Sequence, residues 1–524
     1  MTIAKEESIK SEGIDSDAAD LARLGYKQEF LREFGSLATL SFAFSIMGVS
    51  ASIPSTFDTP MLSGGPASVI WCWAVGSCFC MTIALSISEI ISAYPISGGL
   101  YTSSKFLVPP RYIPIVSWIT GWLNTLGQIA GFASTDFGCA RLIAAVGTLV
   151  TDGEYQPSAQ AIVGIYVGIL ILHGVINTSS TRFMAVVTQY FVFFNVGTAL
   201  VIIIGLFAAS PSANKMAISD IFTMVNNETG WTSDSVAVLL GLLSVCWTMT
   251  DYDATGHIAE ETHKAAIRGP VSIITAVAGT GLLGLILNLA FVASSNNINL
   301  PGPTALSTVE ILFQNIGKNG AIVILVFIIL VSNFIGISAL QANSRMVFAF
   351  ARDGGLPFSS FFGKMNSKLN VPVNAVWVII IISIIMGLLN LASAVAVNAI
   401  FSLATIAMDW SYCIPIVYKI YYCHITKELT FAPGPFTMGP RLGLVINIIA
   451  VLWTAFVSSI LVLPTVMPAT VDNMNYASLI TVGTLFLSVV WFYLDARKWY
   501  KGPKGNIDEA TVAEIKYADI IQAS

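Results

Sequence analysis

Residues 241–262 read GLLSVCWTMTDYDATGHIAEET, and the fold turns on how this stretch is understood. It opens as an apolar run fit to enter a bilayer. Thr250, Asp251, Tyr252, Asp253, Thr255 and His257 then interrupt it, before it closes on Glu260 and Glu261. Carboxylates at bilayer depth cost free energy, and chains keep them there mainly where they face a cavity or an ion path. A break in mid-span also frees backbone carbonyls and amides, which solute, water or neighbouring helices must satisfy. The combination points to the solute site of a transporter.

The remainder of the chain agrees. Of its 524 residues, 55% are hydrophobic and 10% charged, whereas a soluble domain carries about 25% charged residues. Apolar runs near the roughly 20 residues needed to cross a bilayer recur from Leu37 to Leu494. The expectation is an all-α polytopic membrane protein with twelve transmembrane helices. They fall at about 36–58, 66–93, 114–148, 160–177, 183–209, 235–259, 270–294, 320–350, 373–390, 396–421, 443–463 and 477–495, with tails at 1–35 and 496–524. On that count 22 of the 25 Lys and Arg residues lie on one side, the exceptions being Arg141, Lys215 and Lys318. The positive-inside rule then puts both tails in the cytoplasm.

Several classes fall away. The first ~30 residues are polar and lack the apolar core of a cleavable signal peptide. No GxxxxGK[ST] loop occurs, so ATP-driven pumping by this chain is not expected. Cys72, Cys78, Cys80, Cys139, Cys246, Cys413 and Cys423 lie in or beside spans without a CxxC pair. They read as packing residues rather than a disulfide framework, and no Cys/His spacing suggests a metal or other cofactor. Asn227-Glu228-Thr229 is a candidate glycosylation sequon in an external loop. No nucleophile–base pair marks an enzyme.

Span 1 shares the oddity of span 6. Met47, Gly48, Val49, Ser50, Ala51 and Ser52 form a small, partly polar run with Pro54 just beyond. Small residues of this kind also serve as helix-packing faces. Two interrupted spans five apart are, however, what two inverted five-helix repeats produce at corresponding positions.

Four segments then resemble one family, the amino acid–polyamine–organocation (APC) superfamily, in its fungal amino acid/choline branch that includes GABA permeases. They are Gly25-Tyr26 with Leu31-Arg32-Glu33-Phe34; the run from Ser88-Glu89 through Tyr94-Pro95 to Ser97-Gly98-Gly99-Leu100-Tyr101; Asp253-Ala254-Thr255-Gly256-His257-Ile258-Ala259-Glu260-Glu261; and Arg345 through Ala351-Arg352-Asp353-Gly354-Gly355-Leu356-Pro357. The resemblance implies a LeuT-type 5+5 inverted repeat (about 36–209 and 235–421) followed by two C-terminal helices (about 443–495). It also implies alternating access, with solute held between spans 1, 3, 6, 8 and 10. An α-carboxylate would meet freed amides at Gly48 to Ser52, and an ammonium the carbonyls from Cys246 and Trp247 to Thr250. Some proton-coupled relatives carry a lysine in span 5; here Gln189 and Asn195 stand in a span without one. Proton symport is the family expectation, with sodium the lesser one.

Other polar residues extend the candidate site. Asn124 and Gln128 share a helical face, and either line the site or tie spans together. Asp251 either selects a cationic substrate or caps a half-helix. Asp136 is expected to pair with Arg141, while His173 and His424 read as structural or surface residues. Ser332, Asn333 and Ser338 are candidates on span 8. Glu89, His257, Glu260, Glu261 and the isolated Asp409 are candidates for gating or coupling. The expected function is import of an amino acid or GABA-like amine, through the plasma membrane or, as the other location, the vacuolar one. The alternatives are an organic-cation transporter (choline, a polyamine or thiamine) and a non-transporting nutrient sensor.

Overall fold

The computed structural model describes residues 17–18, 21–391, 396–471 and 473–505. Among these, eleven helical stretches are long and apolar enough to cross a membrane, and Val373–Leu388 is a shorter apolar helix. The twelve expected spans are therefore all helical, the ninth being the short one. Their apolar residues point outward as well as inward: Ile204, Leu282, Phe486 and Leu479 are largely exposed. That is the reverse of a water-soluble surface and fits helices bathed in hydrocarbon.

Span 1 is two helices, Ser36–Met47 and Val49–Thr56, joined at Gly48. Gly48 takes a left-handed φ of +40°, and a Cβ there would lie 2.1 Å from Ile335 Cδ1; only glycine fits both demands. Span 6 runs Asp234–Leu240 and Leu242–Met249, unwinds at Thr250 to Asp253, and resumes at Ala254–His257. Asp251 has a φ of +68°, uncommon for a residue with a side chain. The two breaks thus occupy matching places in the first and sixth spans.

The other spans are less interrupted. Span 2 is Asp58–Ala93, kinked at Gly65; span 3 is Ile113–Val150; span 4 is Ala159–Asn177. Span 5 combines Thr181–Thr188 with Phe191–Ala209. Spans 7 and 8 are Ala265–Ala293 and Lys318–Arg352. Span 10, Ala396–Tyr418, widens into a π-helical turn at Lys419–Ile425. Spans 11 and 12 are Pro440–Leu461 and Ala477–Leu494.

Both ends of the described chain meet on one face, as an even number of spans requires. Gly505 abuts the backbone of Gly25, Lys504 N donates to Asp353 Oδ1 at 3.2 Å, and Tyr500 OH bonds Ser117 Oγ at 3.0 Å. Trp118, fully buried, packs there among Trp491, Phe492 and Tyr500.

Candidate functional site

The two breaks approach one another between spans 3 and 8. A cavity of about 30 Å³ lies there, lined by Ile46, Ser52, Thr135, Trp247, Thr250, Asp251 and neighbours from span 8. Such a volume admits one or two waters and is far smaller than an amino acid.

Four amides of the span 1 break, those of Gly48, Ser50, Ala51 and Ser52, are already occupied, against the expectation that they stand free. Gly48 N donates to Phe44 O, and Ala51 N and Ser52 N both donate to Gly48 O. Ser50 donates through N and Oγ to Asn195 Oδ1 at 3.2 and 2.9 Å, and Asn195 Nδ2 returns to Phe44 O. Asn195 of span 5 is therefore a splint across the break, a role invisible in a residue 145 positions from Ser50. Ser52 Oγ satisfies Met47 O at 2.8 Å. Thr56 Oγ1 and Ser244 Oγ, 2.8 Å apart, tie the two broken spans together.

At the span 6 break Thr250 N still reaches Cys246 O, and Trp247 Nε1 donates to Ser134 Oγ at 3.0 Å. Asp251 accepts from Gln128 Nε2 at 2.7 Å. It does not cap the following helix: Asp253 stands at that N-cap, and no side-chain cap bond forms. Asp253 is instead the hub of the region. Its carboxylate accepts from Asn124 Nδ2 at 2.8 Å, Tyr412 OH at 2.8 Å and Gln128 Nε2 at 3.4 Å, and faces His257 Nε2 at 3.0 Å. Tyr412, adjacent to the expected Asp409, was not itself among the expected site residues. Asn124 Oδ1, Gln128 Oε1 and Thr250 Oγ1 are buried acceptors without a partner among the described residues, an unusual concentration for a folded interior.

Below the break, toward the face bearing the chain ends, the acids form buried pairs. Arg345 Nε meets Glu261 Oε1 at 2.6 Å, both fully buried, and Gln341 adds a bond at 3.3 Å. Glu260 accepts from Ser97 N at 3.2 Å and lies 3.8 Å from Arg352. Burial pushes the Glu260 carboxyl above its usual range, with Arg352 acting against it. Residues before span 1 clasp this segment: Glu33 N and Phe34 N donate to Glu261 O, and Arg32 Nη1 to Thr262 O at 2.7 Å. Glu89 meets Lys419 Nζ at 2.6 Å and accepts from Thr437 and Met438. Its partner belongs to the π-helical end of span 10 rather than to a loop.

Two further expectations need correction. Asp136 pairs with His173 Nδ1 at 2.9 Å, not with Arg141; Arg141 donates to Ala305 O at 3.1 Å. His173 is thereby fully buried rather than at the surface, in line with the structural one of its two expected readings. Asn333 faces His173 Nε2 at 3.1 Å and Ile329 O, away from the cavity at the breaks. Ser332 lies beside Cys139 on the same side, whereas Ser338 bonds Ser45 of span 1. Asp409 is buried, and its Oδ1 lacks a partner among the described residues. His424 is half-buried in a second hollow with Glu89 and Lys419. Asn227 spends its amide on Trp231 O and Asp234.

Two discontinuous spans whose mid-span breaks meet beside buried acids are the mark of a polytopic transporter. The amino acid permease family model matches residues 34–486. The chain is 44% identical to an uncharacterized amino-acid permease of Schizosaccharomyces pombe, over 93% of this chain and 90% of that one. It is 36% identical to the amino-acid permease BAT1 of Arabidopsis thaliana, over 94% and 97%. It is 31% identical to the GABA-specific permease of Saccharomyces cerevisiae, over 96% and 88%. The chain belongs to the amino acid permease family of the APC superfamily, and so to the transporters rather than the enzymes.

Proposed function

We propose that this permease is a secondary active importer of an amino acid or a GABA-like amine, working by alternating access and proton symport. One observation carries the reading: both broken spans converge on a cavity where Asp251, Thr250 and Ser52 meet. An ammonium group suits the surplus of unpartnered acceptors at Asn124, Gln128 and Thr250. The solute's carboxylate would take the amides at the span 1 break by displacing Asn195. Because the cavity is so small, the broken spans 1 and 6 must part from a scaffold of the unbroken spans 3, 4 and 8 to admit solute. Both tails would lie in the cytoplasm, with the paired acids of Glu89, Glu260 and Glu261 closing that side; the plasma membrane is the expected location.

The test is uptake of labelled GABA and of a standard amino acid mixture by cells stripped of their own permeases, at two pH values. Saturable uptake that falls with an uncoupler is expected. Uptake confined to choline or putrescine would favour the second reading, an organic-cation carrier, for which the cavity-facing Asp251 carboxylate is the supporting feature.

A further inference from the structure

His257 sits in an unusual position for a histidine. Its Nδ1 lies 3.0 Å from Ser97 O, a carbonyl that only accepts, so Nδ1 must carry a hydrogen. Its Nε2 lies 3.0 Å from Asp253 Oδ2, on a carboxylate already supplied by Asn124, Gln128 and Tyr412. Two bare acceptors at that distance repel, so a second hydrogen lies between Nε2 and Oδ2 and is shared by the pair. Remove that proton and Nε2 and Oδ2 become two acceptors facing each other at contact distance, which cannot persist. Gly99 fits this arrangement closely: a Cβ there would lie 2.9 Å from His257 Cε1, and its φ is +58°.

The contacts of the pair span several elements. Asp253 and His257 belong to span 6, Asn124 and Gln128 to span 3, Tyr412 to span 10, and Ser97 to the link between spans 2 and 3. Gln128 touches Asp251, at the cavity, as well as Asp253. The other ionisable groups nearby are accounted for. Asp251 and Tyr252 immediately precede the pair on span 6, with Asp409 near Tyr412. Glu260 is held by Ser97 and Arg352, and span 8 presents Arg345 already bound to Glu261. Span 1 contains no ionisable residue, and span 7 only Arg268 at its first turn.

We propose that the Asp253–His257 pair is the seat of the transported proton, latching span 6 to spans 3 and 10 when protonated and releasing them when the proton leaves. The proton arrives at His257 Nε2 from one side of the membrane and departs from the same atom to the other, with no other covalent bond made or broken. Solute enters the scheme through Gln128, whose amide is shared between the cavity acid and the latch. This inference rests on the proton-symport reading above.

The experiment uses the purified full chain in proteoliposomes containing a pH-sensitive dye. The probe is an equimolar mixture of GABA and the twenty standard amino acids. Wild-type protein should acidify the lumen on addition of the probe and also exchange labelled probe. His257→Gln should abolish the acidification while exchange remains measurable, though slower. Acidification by the variant equal to wild type would overturn the inference but leave symport standing. Exchange without acidification in the wild type would overturn both, and the absence of exchange would overturn the transport reading itself. Should the variant not fold, infrared difference spectra of wild-type protein with ring-15N histidine serve instead, since only four histidines are present. Imidazolium and carboxylate bands that change with the probe are expected. A spectrum silent in both overturns the assignment.

Discussion

The molecule contains two buried aspartate–histidine pairs of nearly equal geometry, Asp253–His257 at 3.0 Å and Asp136–His173 at 2.9 Å. Their surroundings differ. Asp136 is on span 3, His173 on span 4 and Asn333, which completes the set, on span 8, all within the scaffold. Asp253 and His257 sit beside a helix break and reach across to spans 3 and 10 and to the 2–3 link. On the proposed scheme the same chemistry serves as a bolt inside the scaffold and as a latch between span 6 and its neighbours. What distinguishes them is which elements the partners ride on, not the strength of the pair.

The comparison is broken most severely at Asp253. Replacing it with alanine strands the donors of Asn124, Gln128, Tyr412 and His257. At roughly 1–3 kcal/mol for each buried group left unpaired, uptake should fall at least ~100-fold, measured as initial rate per surface-expressed molecule. Asp136→Ala should act otherwise. Breaking a buried pair costs about 3–5 kcal/mol, so the melting temperature drops by several degrees, while surviving protein keeps its KM and its dependence on the pH gradient. Equal loss of coupling in both variants would erase the distinction.

The glycines beside each region sharpen it. Gly336→Ala would drive a Cβ to 2.3 Å from Asp136 Oδ1 and 2.5 Å from His173 Cε1, and should lower stability like the loss of the pair. Gly48→Ala meets Ile335 and a left-handed backbone at the hinge. It should slow maximal uptake about tenfold, in line with ~1–2 kcal/mol of backbone strain, with a smaller effect on melting. Asp251→Asn, whose side chain faces the cavity, should leave zwitterion uptake within a few-fold and suppress any uptake of putrescine, read by competition.

The smallest effect concerns the clasp where the chain ends meet. Burial pushes the Asp353 carboxyl up to about 6, against Arg352 and the Tyr101 hydroxyl. A carboxyl raised on folding contributes stability that is full below its ordinary value of about 4 and fades as pH rises through 6. Asp353→Asn should flatten the decline in melting temperature between pH 4 and 7.

The sequence revealed whatever leaves a local trace. Hydropathy exposed the spans, the polar run from Thr250 to His257 exposed one break, and Gly48 among small residues exposed the other. Partnerships left no such trace, whether within one helix or between two. Asp136 was matched with Arg141, five residues away, because nothing in the chain shows that His173, 37 positions on, packs opposite. The Glu89–Lys419 pair spans 330 positions and Asn195–Ser50 145. Such contacts come from helix packing, which fixes angle and rotation after each span's apolar pattern has been satisfied. The amides at Gly48 to Ser52 were expected to be free for the same reason, since their splint is on another span.

The most direct test is distance measurement between spin labels on the face bearing the chain ends, with and without the amino acid probe. Tyr112, at the start of span 3, paired with Lys264, at the start of span 7, reports the latch interface. Tyr112 paired with Lys364, beyond span 8, reports the scaffold. The account predicts a shift of several ångströms in the first distance, of the order seen in hinged domain motions, and a second distance that stays put. Equal shifts in both, or a moving scaffold beneath a fixed latch, would contradict it.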